Sequence, residues 1–486
     1  MVDTDDRGRS IARPADAAGS PDSVPLSSRP IFVFSFIVIA FMAGMLVAMN
    51  KWFPATTFHN ALKTASAIVA QYAVGPFDPD QFIGFTGGPV ADVERNRIVV
   101  RGASPAAAPD EHFLLSGGVH QFLDYCPSHG CLAVEFDRHG GLVHAYPIRP
   151  DQFDRQPLAA LPYEEVGFRF DVNMYPWGLI KLPGGDLIAT FHQWNAFPYG
   201  GGIARVRPDG SLAWFRHDYS NHWPTPLKAG EIAVPATRVG LSRFSTPLGS
   251  GVDLSLDCDG KISEDIVRIL DPDGTVRQEI SVFDAFMQSP YRGLLANAPA
   301  PCDPLHLNYV APVTPGIVSA LPDVTADDLI VSLRNVNAFA ILGRHDGKLK
   351  HFFTGTFVHQ HSVQPLGQSA TMLIFDDLGA DWNAGPSRLL AYDLAGRAER
   401  TLLPNPVASE HRMFSDFAGN ISVSPDRSRA IVAFSNAGSA YEIGIADGKV
   451  FTVFNDVHDL RKVSAAGGER NRTAGRFNLY TAIYVH

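Results

Sequence analysis

Residues 266–280 read IVRILDPDGTVRQEI: an apolar run, an Asp-Pro-Asp-Gly turn and a second apolar run. A glycine between two such runs supplies the positive φ that a tight hairpin turn requires. The wording returns as LAVEFDRHGGLVHAY (132–146), IARVRPDGSLAWF (203–215), FAILGRHDGKLKHFF (339–353), LLAYDLAGRAERTLL (389–403) and YEIGIADGKVFTVF (441–454). The marker glycines are Gly141, Gly210, Gly274, Gly347, Gly396 and Gly448, at intervals of 69, 64, 73, 49 and 52 residues. Each interval holds four short strands and a loop. A further strand pair precedes most hairpins, as in GLIKLPGGDLIATF (178–191) and ISVSPDRSRAIVAF (421–434). Four antiparallel strands repeated six times predict an all-β fold, a six-bladed β-propeller over residues 80–486. A β-sandwich has little use for six equivalent hairpins, and a solenoid has shorter repeats. The final RFNLYTAIYVH (476–486) is expected to close the ring against a first blade near Phe82 to Val100.

Composition agrees with many short strands: 43 Gly and 36 Pro are scattered among Val, Ile, Leu and Phe runs in a chain of 486 residues. A formal charge of -10 gives no electrostatic footprint for nucleic acid, and no nucleic-acid partner is expected.

The N-terminus is built differently. Residues 1–30, rich in Asp, Ser, Pro, Ala and Arg, predict a disordered cytoplasmic tail. Ile31 to Met49 carries no charge, and roughly 28 Å of helix would cross a hydrocarbon core of about 30 Å. Residues 31–50 are therefore expected to be a single-pass transmembrane signal anchor. Arg7, Arg9, Arg13 and Arg29 precede it and Lys51 is the nearest cation after it, which places the tail inside. The rest of the chain would face the periplasm or cell exterior. Residues 51–79, with Pro54, Phe58, Leu62, Ala65, Val69 and Tyr72 at helical spacing, predict a short helical linker. Four cysteines in an exported domain favour disulfides: Cys126 and Cys131 close a short CPSHGC loop and Cys258 and Cys302 flank a longer segment, while four cysteines allow three connectivities; the export reading pairs Cys258 with Cys302.

In a propeller the first strand of each blade lines the central channel. Asn221 and His222, His306 and Asn308, Gln360 and His361, and Asp416 each stand just before such a strand. Arg334 stands at the end of a Val/Ile/Leu run, where a strand surfaces. Side chains from different blades would then converge at one channel mouth, and scaffold edges are where chemistry is exposed.

The stretch from Asp303 to Arg388 resembles the bacterial arylsulfate sulfotransferase family. The matching pieces are His306 and Asn308 in HLN, Arg334 in SLR, His361 in QHS, the FDD after it, and Ser387-Arg388 before a Tyr-containing strand. A weaker match runs from about Val172 to Leu460. The resemblance implies sulfuryl transfer from a phenolic sulfate ester to a phenolic acceptor, independent of phosphoadenylyl sulfate, with neither cofactor nor metal. It implies that His361 is transiently sulfurylated and that Arg334 binds the sulfuryl oxygens. His306 and the substrate-binding Asn308 would line the same pocket. His222, in SNHWPTP, is the nearest candidate for a further family histidine, although the wording around it departs from the family's. Such chemistry spreads negative charge over equatorial oxygens, so cationic donors and positioning carry it. A neutral histidine nucleophile would make activity rise through a pKa near 6.5.

The residues alone leave a second class open, a non-catalytic extracytoplasmic propeller that binds a ligand or protein. Other motifs are thin. Gly200-Gly201-Gly202 is not followed by a helix, no phosphate loop occurs, and the Ser255–Gly260 piece lacks the closing glutamate of a calcium loop. Arg388 is read as structural, and His359 is expected to point away from His361.

Overall fold

The computed structural model describes residues 29–49, 97–100, 110–117, 125–127, 130–149, 152–153, 174–193, 198–240, 262–298, 300, 302–378, 385–404, 413–415, 418–455, 457–458, 475–476 and 478–485. Two compact units, Met1–Ala73 and Val74–His486, divide the chain.

In the first unit, Arg29–Met49 is one α-helix. Its described side chains run from Val33 to Val47, roughly 22 Å at 1.5 Å per residue. Among the described residues no helix is long and apolar enough to cross a membrane, so the structure does not support the anchor expected at 31–50. The tail at 1–28 and the linker helix expected around Pro54–Tyr72 lie outside the described residues.

The second unit is a six-bladed propeller of antiparallel sheets. Numbered from the channel outward, blade 1 is Leu479–Val485, His112–Gly117, Cys131–Phe136 and Leu142–Pro147. Blade 2 is Met174–Lys181, Leu187–Gln193, Gly200–Val206 and Leu212–Arg216. Blade 3 is Thr225–Pro226, Ile232–Gly240, Ile262–Leu270 and Val276–Ser281. Blade 4 is Leu307–Pro312, Leu329–Leu333, Ala338–Leu342 and Leu349–Thr354. Blade 5 is His361–Pro365, Thr371–Asp376, Arg388–Asp393 and Ala398–Leu403. Blade 6 is Gly419–Val423, Arg429–Phe434, Ser439–Gly444 and Val450–Asn455. The six repeated hairpins are the outer strand pairs of the six blades. The left-handed residue of the turn falls one position from the marker glycine in two of them, at Gly140 (φ 84) and Arg397 (φ 50).

Ring closure differs from expectation in one respect. The C-terminal strand does close the ring, but it pairs with His112–Gly117. Arg97–Val100, expected in the first blade, is instead a fifth, outermost strand on blade 6, paired with Val450–Asn455.

Successive strand residues point to opposite faces, and here each face meets a neighbouring blade. Leu329, Val331 and Leu333 pack with blade 3 residues such as Val267 and Ile269. Ile330, between them, packs with Val363, Met372 and Ile374 of blade 5. The same alternation seals the other seams. Where the ring closes, a buried ionic cluster joins the apolar seal. Arg429 of blade 6 pairs with Glu111, beside blade 1, at 2.7 Å and with Glu442 at 2.8 Å, and Arg138 of blade 1 reaches Glu442 at 2.9 Å.

Cys126 and Cys131 form a disulfide next to blade 1. Cys302 is disulfide-bonded too, and Cys258, its expected partner, lies outside the described residues, as does the Ser255–Gly260 loop. The glycine run has a packing reason: a Cβ on Gly202 would lie 2.1 Å from the Arg216 carbonyl oxygen. Arg388 is structural, its Nε donating to Asp376 at 2.7 Å and its Nη2 to the Thr356 carbonyl at 3.0 Å.

Removing one partner of a buried ion pair leaves uncompensated charge and costs about 3–5 kcal/mol. Arg429→Met is expected to lower unfolding stability by about that much, read as a shift in denaturant midpoint with unchanged slope. A change below about 1 kcal/mol would mean that the cluster does not hold the seam.

Candidate active site

Pairing is irregular in several outer strand pairs, and on five blades it is irregular on the inner strands as well. Asn308 is bulged out of the ladder between Leu307 and Tyr309, and Ser362 and Val363 between His361 and Gln364. Trp177 and Gly178 are bulged in blade 2, and Tyr480 in blade 1. In blade 3, residues 221–224 leave the ladder between the Ser220 bridge to Ala236 and the pairing of Thr225 with Ala233. Bulges re-aim side chains. These five aim a cluster of aromatic and histidine rings into the channel.

Three histidines meet there. His222 comes from the approach to blade 3, His306 from the residue before blade 4, and His361 from the first position of blade 5. His222 and His306 have φ of 52 and 54, the left-handed region that is uncommon for non-glycine residues. One ring nitrogen from each of the three lies within 4.8 Å of the others. Ring centroids are 5.2 Å apart for His222 and His306 and 6.0 Å for His222 and His361.

Each Nδ1 faces an oxygen. His222 Nδ1 lies 2.6 Å from Asn221 Oδ1, whose amide is oriented by donation from Nδ2 to the Tyr219 carbonyl. His306 Nδ1 is paired with Asp303, and Tyr199 Oη stands 3.4 Å from it. His361 Nδ1 lies 2.9 Å from Asp377 Oδ2, both groups fully buried. A proton on each Nδ1 leaves a lone pair on Nε2. Every ring thus turns its acceptor nitrogen away from its oxygen partner.

Neighbouring blades hold this geometry. The His222 N–H donates to His192 Nε2 at 3.2 Å, and its carbonyl accepts from the Thr190 hydroxyl. That carbonyl passes so close to Gly178 that a Cβ there would stand 2.3 Å away, which explains the glycine. Asn308 Nδ2 donates to the Gln360 carbonyl at 2.7 Å, and Gln360 Nε2 donates to the Ala338 carbonyl at 2.7 Å. The residue before His361 is thereby bolted to blade 4. Arg334 opens a short 3-10 turn, and its N–H donates to the His306 carbonyl at 3.1 Å. Trp177 stacks on His192 at 3.9 Å and on Tyr480 at 4.2 Å.

Burial controls the charges. His192, His222 and His361 are held well below the usual imidazole pKa, chiefly by burial. The Arg334 guanidinium adds to the effect on His222 and His361. His359 is lowered to about 4 by burial and by the same arginine. Burial, then the Asp303 and Asp265 carboxylates, push the Tyr199 phenol well above its ordinary value. Neutral imidazoles beside a guanidinium suit an anionic ligand, and three convergent nitrogens also have the composition of a metal-binding set.

All five residues singled out from the sequence lie in this neighbourhood: His222, His306 and His361 around one space, Arg334 acting electrostatically on two of them, and Asn308 bracing His361. Asn308 differs from expectation in that one amide N–H is committed to the Gln360 carbonyl. Asp416 lies outside the described residues. The sequence reading overlooked His192, Tyr199, Asp303, Asp377 and Trp177. Asp377 was legible as the second acid of the FDD piece, whereas His192 sits at a strand end with nothing local to mark it. His359, expected to point away, is half-buried and electrostatically linked to Arg334, His306 and His361. A space of about 790 Å³ opens toward the far ends of the inner strands, lined by residues such as Lys181, Thr225, Tyr309 and Ser422.

Residues 252–455 match the family model described as arylsulfotransferase (ASST). The match holds His306, Asn308, Arg334 and His361 and stops short of His192 and His222. No curated protein matches the chain. Among solved structures, the crystal structure of a nidogen/laminin complex is similar at 9% identity and a TM-score of 0.38, covering 77% of this chain and 98% of that one.

A histidine with a depressed folded-state pKa is protonated first in the unfolded chain, near 6.5, so acidification favours unfolding. His192, His222 and His361, with His217 and His359 each lowered to about 4, should give stability that is full above pH 6.5 and lost as pH falls below it. Denaturant titrations at pH 7.5, 6 and 5 check this; unchanged stability across that range would contradict neutral buried imidazoles.

Proposed function

We propose, from the arylsulfotransferase-family assignment of residues 252–455 and the buried histidine cluster beside Arg334, that this chain transfers a sulfuryl group from a phenolic sulfate ester to a phenolic acceptor through a sulfohistidine. The observation that carries the reading is His361. Both its ring nitrogens are buried without a hydrogen-bond partner, Asp377 Oδ2 stands 2.9 Å from Nδ1, and its pKa is depressed. A neutral imidazole with a free lone pair is an activated nucleophile.

His361 Nε2 attacks sulfur, the bond from sulfur to the aryl oxygen breaks, and that electron pair leaves as phenolate. Arg334 balances charge on the sulfuryl oxygens. The phenolate leaves the site and takes its proton from water. His306, oriented by Asp303, takes the proton of the acceptor phenol on Nε2 as the phenol oxygen attacks sulfur and the bond from nitrogen to sulfur breaks, and then returns that proton to water. Asn308 acts through the backbone before His361, and His222 closes the pocket from blade 3. No step calls for phosphoadenylyl sulfate.

His361→Ala is expected to abolish transfer while leaving the fold intact, and Arg334→Ala to weaken transition-state stabilisation by about 2.7–4 kcal/mol, the usual effect of losing one preorganised donor. Intact-mass analysis after donor alone should find a sulfuryl adduct that disappears on addition of a phenol. Because His361 is already neutral well below pH 6.5, activity should not rise as pH passes 6.5, contrary to the expectation for an unperturbed imidazole. Wild-type rates in His361→Ala would remove the covalent mechanism, and absence of transfer from any aryl sulfate would favour a ligand-binding propeller.

The same reading includes export. Helix Arg29–Met49 presents Phe34, Phe36, Ile39 and Phe41, each at least 65% exposed, around its circumference, and such a surface needs an apolar covering. The Cys126–Cys131 disulfide is of a kind that persists in oxidising compartments. Although its described side chains, 33–47, are too few to span by themselves, we infer that helix Arg29–Met49 as a whole anchors the chain, with residues after it facing the periplasm or cell exterior. A reporter that works only outside the cytoplasm should be active after His486; activity of a cytoplasm-only reporter there would overturn the placement.

A further inference from the structure

The three histidines are arranged as a metal centre is arranged. A metal-binding imidazole usually donates its other ring N–H to a carboxylate or carbonyl, which fixes the ring and raises its basicity. Here that pattern is present on two rings, with Asn221 on His222 and Asp303 on His306, and on the third Asp377 Oδ2 stands 2.9 Å from His361 Nδ1 as an ion-pair contact without hydrogen-bond geometry. The nitrogens turned away from those oxygens belong to three blades, and one from each ring falls within 4.8 Å of the others. His361 adds an independent sign: its Nε2 is buried and makes no hydrogen bond with the protein.

We propose that His222, His306 and His361 form a three-histidine site for a divalent transition-metal ion, best matched by zinc, whose binding occludes the His361 nitrogen.

The donor set selects the metal class. Neutral imidazoles suit zinc, copper and nickel, while magnesium and calcium require oxygen ligands. Three histidines with an open fourth position is a well-attested zinc arrangement. Metal–nitrogen bonds of about 2.0–2.1 Å in a tetrahedral site bring nitrogens to roughly 3.3 Å of one another. The rings must therefore close by up to about 1.5 Å from the 4.8 Å limit, within reach of small side-chain rotations. Electrostatics cuts both ways. Arg334 opposes a bare cation, and the Asp303 and Asp377 carboxylates on the rings offset it. An anion in the fourth position would face Arg334. The ion and a sulfuryl group need the same nitrogen of His361, so they exclude one another. Binding itself does not rest on the transfer reading.

The test uses the purified full chain after chelation, titrated with Co²⁺ as a spectroscopic probe and then with Zn²⁺. Expected are one saturable site per chain, visible absorption of a four- or five-coordinate Co²⁺, and displacement by Zn²⁺. His222→Ala, His306→Ala and His361→Ala should each weaken binding at least tenfold, and His351→Ala, on the outer strand of blade 4, should not. X-ray absorption on the Zn²⁺-loaded wild type should count three imidazoles, a readout that survives if a variant fails to fold. No saturable site, fewer than three imidazoles, or binding unaffected by all three substitutions would overturn the site. If chelated protein transfers sulfuryl groups and Zn²⁺ stops it, the occlusion holds; if transfer requires Zn²⁺, the occlusion is overturned. If neither form transfers while the metal binds, the transfer reading fails and the site stands.

Discussion

In every blade the middle strands are buried on both faces, and the rest of the molecule depends on that constraint. A strand such as Leu329–Leu333 has no solvent face: Leu329, Val331 and Leu333 serve one seam and Ile330 the other. Truncating residues of this kind typically costs 2–5 kcal/mol. A register slip of one residue would exchange the two seams at once, so the pairing is tightly specified. A ring with both faces occupied also has to close, and the first-numbered blade borrows its inner strand from the chain's end. The ion cluster of Glu111, Arg138, Arg429 and Glu442 sits at the seam where that closure is made.

Within that frame the inner strands combine bulges with left-handed residues, and both cost energy. Bulged residues give up ladder hydrogen bonds, and left-handed non-glycine residues such as His222, His306 and His359 are disfavoured by local sterics. Features of this sort persist only where surrounding contacts over-determine them. Thr190, Gly178, Asn308, Gln360 and Asn337 supply those contacts, each acting across a seam or next to one. The scaffold and the cluster are therefore coupled. The contacts that hold His222 and His361 thus come from the blades next to them, Thr190 of blade 2 on His222 and Asn308 of blade 4 on the residue before His361.

Burial also decides what the rings can do. In water these histidines would be partly protonated near neutrality and mutually repulsive. Enclosed by Trp177, Trp223 and Tyr199, His222 and His361 stay neutral, and Asn221 Oδ1 faces Nδ1 of His222, leaving its Nε2 the lone pair. That combination suits a nucleophile and a metal ligand equally, which is why both readings arise from one cluster.

The fold was legible in the chain because hairpin chemistry is local. Six apolar-turn-apolar segments carried their own turn residues, and those six are the outer strand pairs found. His306, Asn308, Arg334 and His361 were legible too, by position at strand edges and by their order in a resembling stretch. Partner identity across seams was not. The pairing of Leu479–Val485 with His112–Gly117, the move of Arg97–Val100 to blade 6, and the entry of His192, Tyr199 and Asp303 into the cluster join residues distant in sequence. Nothing near them encodes those contacts. The pKa values were beyond reach for the same reason: an imidazole's charge depends on how completely other blades exclude water from it, and only the assembled ring sets that. Sequence determined which strands form and where their polar ends fall; tertiary structure decided which ends meet, because burial on both faces is a property of neighbours.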